Sequence, residues 1–273
     1  MTFAQIQGND DVKQALTGMV DEGRIPHAIL FHEDDGGGAF PIALAFLQYL
    51  FCRERSGGDS CGRCPSCGKI GRLIHPDVHF VFPTAAGALS EQFLEPLRRL
   101  VAERPAFREA ELTDALGLAG KVPMIAVAES RRLLEKLSLS ALEGGWRAVV
   151  IYLPERMNAE AANRLLKIIE EPPAQTQFLL IAHQMERVLP TIASRCQRIR
   201  VRAAGAVIRR ILVAYPSVRL AVANRGIHLG RPRNGSERIS HFPCPHCHRT
   251  QQQQHSYYKS FPFHNYQLST FDF

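Results

Sequence analysis

Arg24-Ile25-Pro26-His27-Ala28-Ile29-Leu30-Phe31-His32-Glu33-Asp34-Asp35-Gly36-Gly37-Gly38-Ala39-Phe40 passes from an apolar run through a glycine cluster into a helical pattern. His27-Ala28-Ile29-Leu30-Phe31 is an apolar run of strand length, the glycines mark a turn, and an apolar helical pattern follows over residues 40–51. Further runs repeat the alternation. Val78-His79-Phe80-Val81-Phe82, Arg147-Ala148-Val149-Val150-Ile151-Tyr152 and Gln177-Phe178-Leu179-Leu180-Ile181-Ala182 read as strands, and residues 197–201 as a short fifth. Near-continuous apolar strands separated by helices predict an α/β fold with a parallel sheet covered on both faces. Between them, residues 126–139 predict a helix with Leu133, Leu134 and Leu137 as its core stripe. Another helix starts at Asn158 as N-cap, buries Ala161, Leu165, Ile168 and Ile169, and stops at Pro172-Pro173. The more polar residues 90–117 read as inserted helices.

A strand, a glycine cluster and a helix are the setting of a phosphate-binding loop, where backbone N–H groups and the helix N-terminus cradle phosphates. Laid on this chain, G-x-x-x-x-G-K-[ST] puts Glu33 at the first glycine, Gly38 at the second, Ala39 at the lysine and Phe40 at the hydroxyl position. Only the second glycine survives. The lysine that neutralises phosphate and the hydroxyl that holds Mg²⁺ are gone, while Glu33, Asp34 and Asp35 oppose a triphosphate. The third strand runs into Leu153-Pro154-Glu155, which leaves one carboxylate to orient both Mg²⁺ and water. The loop is expected to be a glycine-rich turn in a scaffold that neither binds nor hydrolyses ATP.

Cys52, Cys61, Cys64 and Cys67 are spaced C-x8-C-x2-C-x2-C. Four thiolates can surround one Zn²⁺, and a C-x2-C pair supplies two of them naturally. Gly57, Gly58, Gly62, Pro65 and Gly68 are expected to supply the turns between them. Unpaired reduced thiols and an iron–sulfur cluster are the alternatives. The ferredoxin run requires another cysteine three residues on, where this chain has Gly71. With all four positions filled by protein, the expected zinc is structural.

The chain has 273 residues, 45% hydrophobic and 22% charged, which excludes a wholly disordered or fibrous class. Its net charge of +7 is unevenly placed. Residues 1–202 hold 24 basic and 24 acidic side chains, whereas residues 203–273 hold nine basic residues against Glu237 and Asp272. The basic tail also carries six of the eleven histidines and the run Gln251-Gln252-Gln253-Gln254. From about Gly226 onward it is expected to be irregular. Cys244 and Cys247 resemble half of a metal site without a second pair at finger spacing. The opening residues show no secretory pattern and no apolar run reaches membrane-spanning length, so a cytoplasmic protein with reduced thiols is expected.

Several stretches occur in a fixed order: Arg24 to Phe31, the cysteine cluster, His75-Pro76-Asp77, and Glu155-Arg156-Met157-Asn158. Ala162-Asn163-Arg164-Leu165-Leu166-Lys167, Glu170-Glu171-Pro172-Pro173, Leu189-Pro190-Thr191-Ile192 and Ser194-Arg195-Cys196 complete the series. This set, covering residues 3–202, resembles the delta-prime branch of the bacterial DNA polymerase III clamp-loader AAA+ family. The resemblance implies an AAA+ P-loop-type three-layer domain over residues 1–202, with a zinc module at 52–67 inserted in it. Residues 203–273 then stand as a divergent tail, without the lid and collar that family members carry. Its composition reads as translation in a shifted frame, or as a divergent or truncated end.

The resemblance further implies a subunit of a DNA-directed DNA polymerase holoenzyme with no catalysis of its own. Its partners would be the gamma/tau and delta subunits, with the sliding clamp and primed DNA reached through the complex. It makes Arg195 an arginine finger for the ATP site of a neighbouring subunit. On the tripeptide alone, Arg195 reads as a solvated arginine after a turn. Asn163 and Lys167 read as a solvent-facing helix surface, and His183 and Gln184 occupy the sensor region without the Asn or Thr expected there. Two other readings are an active AAA+ ATPase of the gamma/tau type, opposed by the missing lysine, and a zinc-containing nucleic-acid-binding module using the basic tail.

Overall fold

The computed structural model describes residues 1–203. Five parallel strands form one sheet: β1 (Ala28–His32), β2 (Val78–Val81), β3 (Arg147–Tyr152), β4 (Thr176–Ala182) and β5 (Gln197–Arg200). Their spatial order is β2-β3-β4-β1-β5. Among the described residues eight α-helices accompany them: α1 (Asp10–Asp21), α2 (Ala39–Phe51), α3 (Pro65–Gly71), α4 (Leu94–Glu103), α5 (Glu109–Ala115), α6 (Val127–Ser138), α7 (Ala159–Glu170) and α8 (Pro190–Ala193). Each expected strand and helix is present, with ends shifted by a residue at most. Residues 90–117 hold α4, α5 and a 3-10 turn, the inserted helices expected from their polarity. The expectations for the tail beyond residue 203, including Cys244 and Cys247, lie outside the described residues.

Alternation along the strands builds two cores. Ile29 and Phe31 of β1, Val150 of β3 and Leu179 and Ile181 of β4 face α1, α2 and α4. Ala28, Leu30, Val149, Ile151, Phe178 and Leu180 face α6 and α7 on the other side. A period of two sends successive side chains to opposite faces, so strands between two helical layers must be apolar throughout. Central β3 and β4 are buried at every position, whereas β5 lies at the edge and exposes Gln197, Arg198 and Arg200. Helix α2 is buried from Ala39 to Leu50, as befits a helix apolar all round.

The ends of the second-layer helices are closed by polar side chains. Asn158 is the N-cap of α7, its side-chain oxygen accepting the Ala161 N–H at 2.7 Å. Ala161, Leu165 and Ile169 are buried on α7 and Ile168 partly so. On α6, Leu133 and Leu137 are buried and Leu134 packs at the margin. Arg147 at the start of β3 donates from Nη1 to the carbonyls of Leu137 at 2.8 Å and Leu139 at 2.6 Å. That charge lies where the unpaired carbonyls of a helix end attract it. Among the described residues, no helix is long and apolar enough to cross a membrane.

Candidate functional site

The carboxyl ends of β1, β3 and β4 meet at one edge of the sheet, the usual place for a ligand in an open α/β sheet. Register dictates who meets whom. His32 pairs with Ala182 and Tyr152 with Ile181, so Glu33 and His183 are the first residues past adjacent strand ends. The Glu33 N–H donates to the Ala182 carbonyl at 3.1 Å, and the side chain then turns into the loop.

Glu33 is buried, and its Oε2 accepts the N–H of Ala39, the first residue of α2, at 2.6 Å. Its Oε1 lies 3.4 Å from His183 Nε2, while His183 Nδ1 lies 3.3 Å from Asp35 Oδ1. Tyr152 OH approaches the same Nε2 at 3.3 Å. The loop is shaped around the carboxylate: a Cβ on Gly37 would come 2.6 Å from Glu33 Oε2. Gly38 adopts φ 101°, which only glycine takes readily, to launch α2. Phe40, at the hydroxyl position of a phosphate loop, points its ring into a cluster with Phe107 at 5.0 Å and Tyr152 at 5.9 Å. That position is a core position here.

Glu155 is buried below the same edge. Leu153 takes the left-handed backbone at φ 58°, turning the chain so that Glu155 Oε1 accepts the N–H groups of His183 at 2.8 Å and Gln184 at 3.1 Å. The carboxylate thus ties the end of β4 to the loop after β3. Burial pulls the His183 pKa down, but Glu33, Asp35 and Glu155 more than reverse this and hold it above its ordinary value. A histidine beside three carboxylates makes this edge a buried polar cluster.

A second group of residues converges at the far end of α2. The sulfurs of Cys52, Cys61, Cys64 and Cys67 all lie within 4.8 Å of one another, so they could hold one metal ion. A tetrahedron with metal–sulfur bonds of ~2.3 Å has edges of about 3.8 Å, which lies within this limit. The Cys61 N–H donates to Cys52 Sγ and the Cys64 N–H to Cys61 Sγ, each at 3.3 Å. Backbone N–H groups of Arg63 and Cys64 pull the Cys61 thiol down to about 7, whereas burial pushes Cys52 and Cys67 up.

Gly57, Gly58 and Gly62 adopt positive φ and make the turns expected of them. Pro65 and Gly68 instead belong to α3, whose N-cap is Cys64; a proline at the first position favours a helix start rather than a loop. Gln48 locks the module to the domain, donating from Nε2 to the Cys67 carbonyl at 2.9 Å and accepting the N-terminal ammonium at 3.1 Å. Asp59 accepts the N–H groups of Phe3 at 3.0 Å and Ala4 at 2.9 Å.

Arg195 follows α8, its side chain one-third exposed. Nε and Nη2 are held by Glu170, and Nη1 donates to the Thr191 carbonyl at 2.7 Å. It is brought near neither the phosphate-loop edge nor the cysteines by any contact of its side chain. Asn163 and Lys167 are exposed on α7, in keeping with a solvent-facing surface. The Glu33–His183 pair was not legible beforehand: an acid beside a glycine run is a signal, but nothing local couples it to a histidine on another strand.

The family described as DNA polymerase III, delta subunit, matches residues 8–204. DNA polymerase III subunit delta' of Yersinia pestis is 33% identical over 183 residues, 66% of this chain and 43% of that protein. The Bacillus subtilis delta' subunit is 31% identical over 186 residues, 68% of this chain and 45% of that protein. DNA polymerase III subunit gamma/tau of Mycobacterium tuberculosis is 27% identical over 194 residues, 71% of this chain and 27% of that protein. The chain thus spans less than half the length of these relatives. A match over most of the described residues shows that this chain belongs to the family described as DNA polymerase III, delta subunit, and it is similar to the delta' subunits of that enzyme.

Proposed function

We propose that the chain is a non-hydrolysing delta-prime-type subunit of a clamp loader, which helps place the sliding clamp on primed DNA and lends Arg195 to a neighbouring ATPase subunit. The observation that carries the first half is the α2 N-terminus, where Ala39 stands at the lysine position with its N–H bonded to Glu33. Without the lysine and the hydroxyl, neither phosphate charge nor Mg²⁺ has its partner.

The second half rests on Ser194-Arg195-Cys196 in its ordered family context and on the exposure of Arg195. A guanidinium stays charged and offers a planar fork of donors suited to γ-phosphate oxygens. In this chain Glu170 and Thr191 hold that fork at the surface beside α8, from which a neighbour's phosphate would have to draw it. The partners on this reading are gamma/tau and delta subunits, acting in the cytoplasm. Residues 1–202 form the AAA+ domain, and residues 203–273 stand where the relatives continue into lid and collar. The four cysteines hold a structural zinc: sulfur-only coordination leaves no position open for water, so the metal supports the module rather than performing chemistry.

The test is a clamp loader reconstituted with Arg195→Ala. Folding by circular dichroism should be unchanged, and DNA-stimulated ATPase at the neighbouring site should fall by a factor approaching ~10³–10⁵, the usual worth of such a finger. Unchanged ATPase rejects the role. Nucleotide titration of the isolated wild-type chain separates this reading from an active gamma/tau-type ATPase, which would bind ATP.

A further inference from the structure

Glu33 is a buried acid that the family reading leaves without a task. Its side chain is 2% exposed, which for a carboxylate demands strong compensation. Compensation is present on every side. The Ala39 N–H meets Oε2 at 2.6 Å, the His183 imidazole meets Oε1 at 3.4 Å, and the start of α2 adds the positive end of a thirteen-residue helix. The glycines close the loop over it, since a side chain at Gly37 would strike Glu33 Oε2 at 2.6 Å and Asp34 O at 2.8 Å. An anion is therefore already bound at the start of α2, and it is covalently part of the chain.

We propose that Glu33 is a built-in anion, holding from within the chain the place where strand–loop–helix proteins bind a nucleotide's phosphate. This rests on the nucleotide-free reading and deepens it. Loss of the lysine would only weaken phosphate binding, whereas a carboxylate on the Ala39 amide takes the place itself. An entering diphosphate must remove Glu33 from its amide and imidazole, and then face Asp34 and Asp35 as well. The same contact ties the loop to the start of α2 from within the chain.

The experiment titrates inorganic pyrophosphate and, separately, MgATP into the full chain and its Glu33→Ala and Glu33→Gln variants by calorimetry and thermal shift. Pyrophosphate should bind Glu33→Ala at least ten-fold more tightly than wild type and raise the unfolding midpoint of the variant only. If Glu33→Ala does not fold, Glu33→Gln takes its place, because it removes the charge and keeps the shape. A folded variant as inert to pyrophosphate as wild type overturns the built-in anion and leaves the nucleotide-free reading intact. MgATP binding by wild type removes that reading instead. In that case the Ala39 amide resonance must shift in Glu33→Gln and stay in place when MgATP is added to wild type; a shift with MgATP overturns the built-in anion.

Discussion

His183 shows how one residue can be specified by its neighbours rather than by its own surroundings in the chain. It follows β4, yet its ring meets Glu33 and Asp35 after β1 and Tyr152 of β3, while its backbone N–H is held by Glu155. Those carboxylates raise its pKa against the opposing effect of burial, and the sign of the linkage follows. The stabilisation is fully present below the unfolded-state pKa of about 6.5 and is lost as pH rises through the higher folded value. Urea unfolding from pH 6 to 9 should show wild-type stability declining relative to His183→Gln across that window. Parallel profiles would remove the pairing. Burial lowers the pKa of His75 and that of His79, the latter to about 4, and because both are common to the two proteins their contribution drops out of the comparison.

At the scale of elements, the cysteine module and helix α2 form one unit. Cys52 ends α2, Cys64 caps α3 and Gln48 reaches from α2 to the Cys67 carbonyl. Metal binding in a four-cysteine module of this kind couples to its folding, because the ligands are gathered only in the folded chain. Purified chain should carry one zinc by atomic absorption. Cys67→Ser should lose it and lower the thermal midpoint, and a metal-free but equally stable wild type would reject the structural zinc. The spacing of these cysteines was readable as a ligand set because the chemistry needs only local turns. The role of Pro65 and Gly68 was not readable, since the same residues serve a turn or a helix start depending on how α3 packs.

At the scale of the molecule, the sheet divides the domain into two separate apolar clusters. Ile42 of α2 and Ile169 of α7 are both fully buried, one on each side. Ile42→Val and Ile169→Val should each cost about 0.5–1.5 kcal/mol by urea denaturation. The double variant should equal their sum within about 0.5 kcal/mol, as sites without shared partners do. A larger departure would mean that strain passes through the sheet.

Strand–helix alternation, the parallel sheet, the grouping of the four cysteines and the family are all legible in the chain. Each of these is written in short-range pattern: apolar runs, cysteine spacing, caps such as Asn158, and ordered motifs. The loss of the phosphate loop's lysine and hydroxyl is legible there too. What surrounds the start of α2 instead depends on contacts between distant segments. Strand order β4-β1 and the pairing of His32 with Ala182 bring Glu33 beside His183, and closure of the glycine turn lays the carboxylate on the Ala39 amide. Such contacts join residues far apart in the chain. They exist only once parallel pairing has fixed the register, because one residue of slip would send each side chain to the opposite face.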